Sequence, residues 1–139
     1  MEPDRTLLKR LLFVDDEPAI RKTLPVILRK SGFTVTVAAT VSGALDEIRS
    51  QQFDILLCDL NIEGVSDGFQ VVRAIRAIDP DCVAVMFTAY PDMQSAIEGI
   101  RHGVDDYILK PTDPNTLVSL LAKTLSKRES TAERRPLSY

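Results

Sequence analysis

Phe53-Asp54-Ile55-Leu56-Leu57-Cys58-Asp59-Leu60-Asn61-Ile62-Glu63-Gly64 decides the fold of this chain. Ile55 to Cys58 is an unbroken apolar run, and such a run reads as a strand buried on both faces of a parallel sheet. It stops at Asp59, and the polar, Gly-containing segment Asn61 to Gly68 follows. An acid at the C-terminal tip of a buried parallel strand stands where open α/β sheets hold their ligands. Taken alone, Asp59 reads as well as a solvated carboxylate marking a strand end.

Towards the N-terminus, Leu11 to Val14 is a second apolar run, ending in Asp15-Asp16. Glu17-Pro18 opens a helix, with proline at a tolerated first-turn position. Ile20, Leu24, Ile27 and Leu28 recur at helical spacing, Pro25 should bend that helix, and Ser31-Gly32 stops it. Phe33 to Ala39 is rich in β-branched residues and predicts a strand. Thr40 caps a helix whose buried stripe is Val41, Ala44, Leu45 and Ile48.

Towards the C-terminus, Gly68 to Ile78 predicts a helix with Phe69, Val72, Ile75 and Ile78 facing the core. Cys82 to Phe87 predicts a buried strand that stops at Thr88-Ala89. Pro91-Asp92 starts a helix that buries Met93, Ala96, Ile97 and Ile100 and closes at His102-Gly103. Tyr107 to Leu109 is the last strand, followed by Lys110-Pro111. Asp113-Pro114 opens a helix built on Leu117, Leu120, Leu121 and Leu125. Five strands thus alternate with five helices. That predicts an α/β protein with a doubly wound, five-stranded parallel sheet of order 2-1-3-4-5, flavodoxin-like, with helices on two faces.

At 139 residues the chain holds one ordinary domain. The reading places an N-terminal lead at residues 1–8, the domain at 9–127 and a polar tail or linker at 128–139. A net charge of −3 gives no support for direct nucleic-acid binding. No run approaches the roughly 20 apolar residues of a membrane span, and MEPDRTLLKR lacks the apolar core of a signal peptide. A cytoplasmic location is expected, with Cys58 and Cys82 as buried free thiols.

The strand tips collect the chemistry. Strand one ends in Asp15 and Asp16, strand three in Asp59, strand four in Thr88 and strand five in Lys110. Strand two, an edge far from the switch point, ends without a distinctive residue. Three carboxylates in one crevice call for a cation, and an all-oxygen set suits Mg²⁺. A carboxylate beside Mg²⁺ can act as nucleophile toward a phosphoryl group. Lys110 and the Thr88 hydroxyl are placed to hold phosphoryl oxygens.

On these motifs the chain resembles the receiver domains of two-component response regulators over about Lys9 to Lys127. They are Asp15-Asp16, Asp59, Thr88-Ala89 and Tyr107-Ile-Leu-Lys110-Pro111. The resemblance implies that Asp59 accepts a phosphoryl group from a sensor histidine kinase or a phosphotransfer protein. It implies Mg²⁺ held by Asp16, Asp59 and the backbone carbonyl of Asn61, with Asp15 contacting it through water. It further implies that Thr88 and Tyr107 relay the phosphorylated state to the face of helix four, strand five and helix five. Lys110-Pro111 would carry the family's cis peptide. The output domain or effector is not readable, and a phosphorylation-dependent dimer is compatible with the family. One departure stands out. Glu63 occupies the place of the usual proline, and Gly68 comes one residue late, so the loop after Asp59 reads as one residue longer. Gly64 is then a candidate for the turn, and Glu63 to Asp67 is expected to be mobile. Thr112 also replaces the phenylalanine often found after the Lys-Pro pair.

Three rival classes are weaker. A phosphorylation-independent interaction module of the same fold would be favoured by the loss of an acid, Thr88 or Lys110, and all are present. A phosphatase of the haloacid-dehalogenase type wants a second acid two residues after the nucleophile, where Asn61 stands. A flavodoxin-like cofactor protein would have its FMN phosphate repelled by the acids. A switch that phosphorylates itself, without turnover of an external substrate, is the reading carried forward.

Overall fold

A computed structural model of the chain describes residues 9–62, 67–89, 92–110 and 112–133. Its elements run β1 (Arg10–Val14), α1 (Pro18–Lys30), β2 (Thr34–Ala38), α2 (Val41–Ser50), β3 (Ile55–Cys58), α3 (Gly68–Ile78), β4 (Val83–Thr88), α4 (Met93–Arg101), β5 (Asp106–Leu109) and α5 (Pro114–Glu133). All pairings are parallel and the sheet order is β2-β1-β3-β4-β5. The cis peptide expected at Lys110-Pro111, the turn at Gly64 and the mobility of Glu63 to Ser66 fall outside the described residues. No helix among the described residues is long and apolar enough to cross a membrane.

The sheet is buried on both faces because its strands are apolar at consecutive positions. Leu12, Val14, Leu56, Cys58, Ala84 and Met86 point to a core closed by α2 and α3. Their neighbours Leu11, Phe13, Ile55, Leu57, Val85 and Phe87 point to a second core closed by α1 and α5. The local signals act as read. Thr40 accepts a hydrogen bond from the Gly43 amide at 2.9 Å, and Gly32 takes φ +106° just beyond the end of α1. Helix α1 continues through Pro25, which is buried.

One expectation is corrected. Met93, Ile97 and Ile100 are 79%, 44% and 77% exposed, and in α4 the small residues Ser95 and Gly99 face inward instead. A Cβ on Gly99 would lie 3.8 Å from Val104 and 3.9 Å from Phe69, so the helix packs close through a residue with no side chain. The helical spacing was right and the direction it faces was not. Ile78, at the end of α3, is likewise 58% exposed, while Val71 is fully buried. Helix α5 runs to Glu133. Its last turns are tied down by Arg128, paired with Asp105 at 2.5 Å, and by Glu129, paired with Lys9 at 2.7 Å.

Candidate functional site

β1, β3 and β5 deliver their terminal charges to one place. Asp15 follows β1 and is fully buried, Asp59 follows β3 and is 7% exposed, and Asp16 is exposed beside them. Each offers a carboxylate oxygen within 4.8 Å of the others. Lys110, just beyond β5, reaches in with Nζ 2.6 Å from Asp15, 3.5 Å from Asp59 and 3.8 Å from Glu17. The same ammonium lies 5.3 Å from the centre of the Phe87 ring, within cation–π reach. Asp15 also accepts the Glu17 amide at 2.9 Å, and Asp59 accepts the Asn61 amide at 3.4 Å. The crevice measures about 440 Å³ and is lined by Asp16, Glu17, Asp59, Asn61, Ala89 and Lys110.

Charge in this crevice is out of balance, and its ionisable groups are shifted accordingly. Burial pushes the Asp59 carboxyl up to about 6 and Asp15 adds to the rise, while Lys110 and the Asn61 amide oppose it. Burial pulls the Lys110 ammonium down. The hydrogen bond and charge of Asp15, with the charges of Asp59 and Glu17, outweigh that and hold it above the usual lysine range. Behind the site, burial and the Asp59 and Asp15 charges raise the Cys58 thiol, so it stays protonated and unreactive. One lysine does not neutralise three carboxylates. Hard oxygen donors at this separation fit Mg²⁺, with the remaining positions open to water or phosphate oxygens.

Backbone approach fixes the position of Asp59. The Gly68 amide donates to the Leu60 carbonyl at 2.8 Å, and a Cβ on Gly68 would lie 2.3 Å from the Asp59 carbonyl oxygen and 2.9 Å from Met86 Cε. Only glycine fits there. Although it comes one residue late in the sequence, Gly68 is itself the residue of close approach.

Thr88 is fully buried at the end of β4, and its carbonyl accepts the Lys110 amide at 2.8 Å. Tyr107 pairs with Met86 in the ladder and packs against the core under α3. Its hydroxyl is buried and has no hydrogen-bond partner among the described residues. Burial and the Asp92 charge raise its phenol above the usual range, with Ser95 opposing. Ser95 lies near, but its own hydroxyl donates to Asp92 at 3.0 Å.

Beside the crevice, a largely apolar groove of about 360 Å³ runs between α1 and α5, sharing Glu17, Ala89 and Lys110 with it. Sequence reasoning did not single out Glu17 as part of this rim. Its place directly after Asp15-Asp16 was the available signal.

A parallel sheet of this order, with acids at the tips of β1 and β3 and a lysine beyond β5, is the architecture of the receiver class. The chain belongs to the response regulator receiver domain family, whose model matches residues 11–122. It is 36% identical over 124 residues to the DNA-binding response regulator MtrA of Mycolicibacterium smegmatis, covering 89% of this chain and 54% of MtrA. It is 33% identical over 120 residues to the transcriptional regulatory protein ZraR of Escherichia coli, covering 86% of this chain and 27% of ZraR. The chain therefore spans about half the length of one of these relatives and about a quarter of the other. Among solved structures, a CheY-like receiver domain protein from Methanospirillum hungatei superposes with a TM-score of 0.83 at 28% identity, covering 88% of this chain and 98% of that one. Receiver domains are the phosphorylation switches of two-component systems.

Proposed function

We propose that this chain is a phosphorylation-activated signalling switch in which Asp59 accepts a phosphoryl group from a sensor histidine kinase or a phosphotransfer protein. The observation that carries the reading is Asp59 itself. It is a buried carboxylate 3.5 Å from Lys110, in a crevice with two further acids. An Asp59 carboxylate oxygen attacks phosphorus as the phosphorus–nitrogen bond to the donor imidazole breaks, and the departing imidazole takes up a proton. Asp16, Asp59 and the Asn61 carbonyl would hold Mg²⁺, with Asp15 acting through water. The ion supplies charge neutralisation at the phosphoryl oxygens. Lys110 leaves Asp15 for those oxygens, and the Thr88 hydroxyl completes the set. Lys110 and Thr88 act on the transferred group alone, so no external substrate is turned over. The apolar groove that opens onto Lys110 and Glu17 gives a phosphodonor protein a surface beside the reacting carboxylate.

The readout runs through Tyr107. A buried hydroxyl without a hydrogen-bond partner among the described residues is costly, so this side chain is poised to respond to a change at Thr88. The altered face would meet an effector or output domain, or a second copy of the chain. The net charge of −3 argues against direct nucleic-acid binding by this domain, and the location would be cytoplasmic. The domain would span residues 9–127, with α5 leading on into the polar tail or linker.

Incubation with acetyl phosphate and Mg²⁺ should add one phosphoryl group, located by peptide mass spectrometry to Asp59. Labelling at another residue, or none in a folded protein, would remove the proposal.

A further inference from the structure

β5 is the edge strand of the sheet, hydrogen-bonded to β4 alone. Charge holds it at both ends. At the C-terminal end stands Lys110, bound to Asp15 and near Asp59. At the N-terminal end stands Asp105, which neither the sequence nor the proposed switch mechanism accounts for. Its Oδ2 accepts Arg76 of α3 and the Ala84 amide of β4, both at 2.8 Å, and its Oδ1 accepts Arg128 of α5 at 2.5 Å. Arg128 donates further to the Pro80 carbonyl at 2.7 Å. Arg76 donates to the carbonyls of Pro80 at 3.0 Å and Gly103 at 2.7 Å, and also to that of Cys82. One carboxylate and two guanidiniums thus join the end of α3, the start of β4, the turn before β5 and the last turns of α5. Their side chains are only 18%, 18% and 24% exposed.

We propose that β5 works as a rod between these two anchors, so that the state of Asp59 sets how firmly Asp105 and Arg128 hold the C-terminal turns of α5. The inference rests on the switch proposed above. Phosphorylation changes one anchor, because Lys110 must turn from Asp15 toward the new oxygens. Asp105 and Lys110 flank the four residues of β5, five steps apart, so the two anchors are roughly 17 Å apart at about 3.3 Å per residue. Laddered on one side only, a strand this short can shift as a unit against β4, and a shift at Lys110 then reaches Asp105. There the three contacts to the carboxylate are short, so a small displacement loosens the grip on Arg128. The two sites are then coupled through an element that both bias, and the coupling is reciprocal.

The test is hydrogen–deuterium exchange of residues 126–133 in the 139-residue chain, without and with beryllofluoride and Mg²⁺. Bound fluorine resonances report loading independently. Loading of the unaltered protein should speed exchange in this segment about fivefold or more, the low end of measured site-to-site couplings. In Arg128→Gln the segment should exchange fast in both states, the ratio falling to near one. The beryllofluoride concentration for half-loading should shift by the factor lost from that ratio. A staple with only a structural role would raise exchange equally in both states and preserve the ratio, which overturns the inference. So does a loaded, unaltered protein whose α5 end does not change, and that measurement decides the matter even if the variant fails to fold. Absence of bound fluorine signal defeats the switch itself, and is thereby distinguished from failure of the coupling alone.

Discussion

The two ends of the sheet treat charge in opposite ways. At the C-terminal end, Asp15, Asp16, Asp59 and Glu17 gather around one lysine, and the Asp59 carboxyl is pushed up to about 6 by burial. At the N-terminal end, Asp105 meets two arginines, and the carbonyls of Pro80, Cys82 and Gly103 accept further N–H groups from them. One end is short of positive charge and leaves room for a cation. The other is complete. The same parallel sheet supplies both ends, so the difference comes from side chains and not from topology. Local rules are broken where something is to be bound and satisfied where something is to be held.

The contrast is sharpest for labelling. Asp59→Asn should lose all phosphoryl transfer from acetyl phosphate, read as the absence of the phosphorylated mass, and retained full labelling would move the acceptor elsewhere. Next comes Gly68→Ala, where the new methyl would meet the Asp59 carbonyl oxygen at 2.3 Å. Overpacking against backbone should cost about 3 kcal/mol in a urea titration. A loss under about 1 kcal/mol would mean the crevice is not held by this close approach. Asp105→Ala strands two guanidiniums and the Ala84 amide in a part-buried setting, and should cost about 2 kcal/mol. An unchanged urea midpoint would show that the complete end is no more than a surface pairing.

The smallest effect has the opposite sign. In the cation-free protein, Asp59→Asn should raise stability by on the order of 1 kcal/mol, because a carboxyl raised above its ordinary value opposes folding once ionised. The folded state holds the Asp59 proton up to about pH 6, whereas the unfolded chain releases it near the ordinary carboxylate value of 3.8. The folded state therefore binds more protons between these values, and this group's contribution falls as pH rises through that window. Melting temperatures of the two proteins should coincide at pH 3.5 and separate by pH 7, with Asp59→Asn the higher. Separation in the other direction would mean that the crevice is not repulsive.

The crevice was legible from sequence because each of its residues directly follows an apolar run. Asp15, Asp59, Thr88 and Lys110 are located by the strands they terminate, and the strands announce themselves by composition. The clasp was not legible. Asp105 lies 29 residues from Arg76 and 23 from Arg128, and each reads alone as an ordinary surface charge. Arg128 and Glu129 likewise look like solvated charges until Asp105 and Lys9 are placed beside them. In α4 the periodicity of Met93, Ile97 and Ile100 was read correctly, but hydrophobic spacing gives a stripe without saying which way it faces. The small residues Ser95 and Gly99 decided that. The departure after Asp59 read as a longer loop, whereas the requirement for Gly68 depends on a backbone contact that no pattern displays.

The hydrogen bond from the Gly68 amide to the Leu60 carbonyl has a practical consequence for protein engineering. It ties Gly68 to Leu60, so any branch of chain grafted between them hangs from two fixed roots. Doubling the length of such a branch costs only about 0.6 kcal/mol in chain entropy. A peptide tag or a small fluorescent module inserted there would sit beside the Asp59 crevice without shifting the register of any strand, and a graft of this kind would report on what the crevice binds.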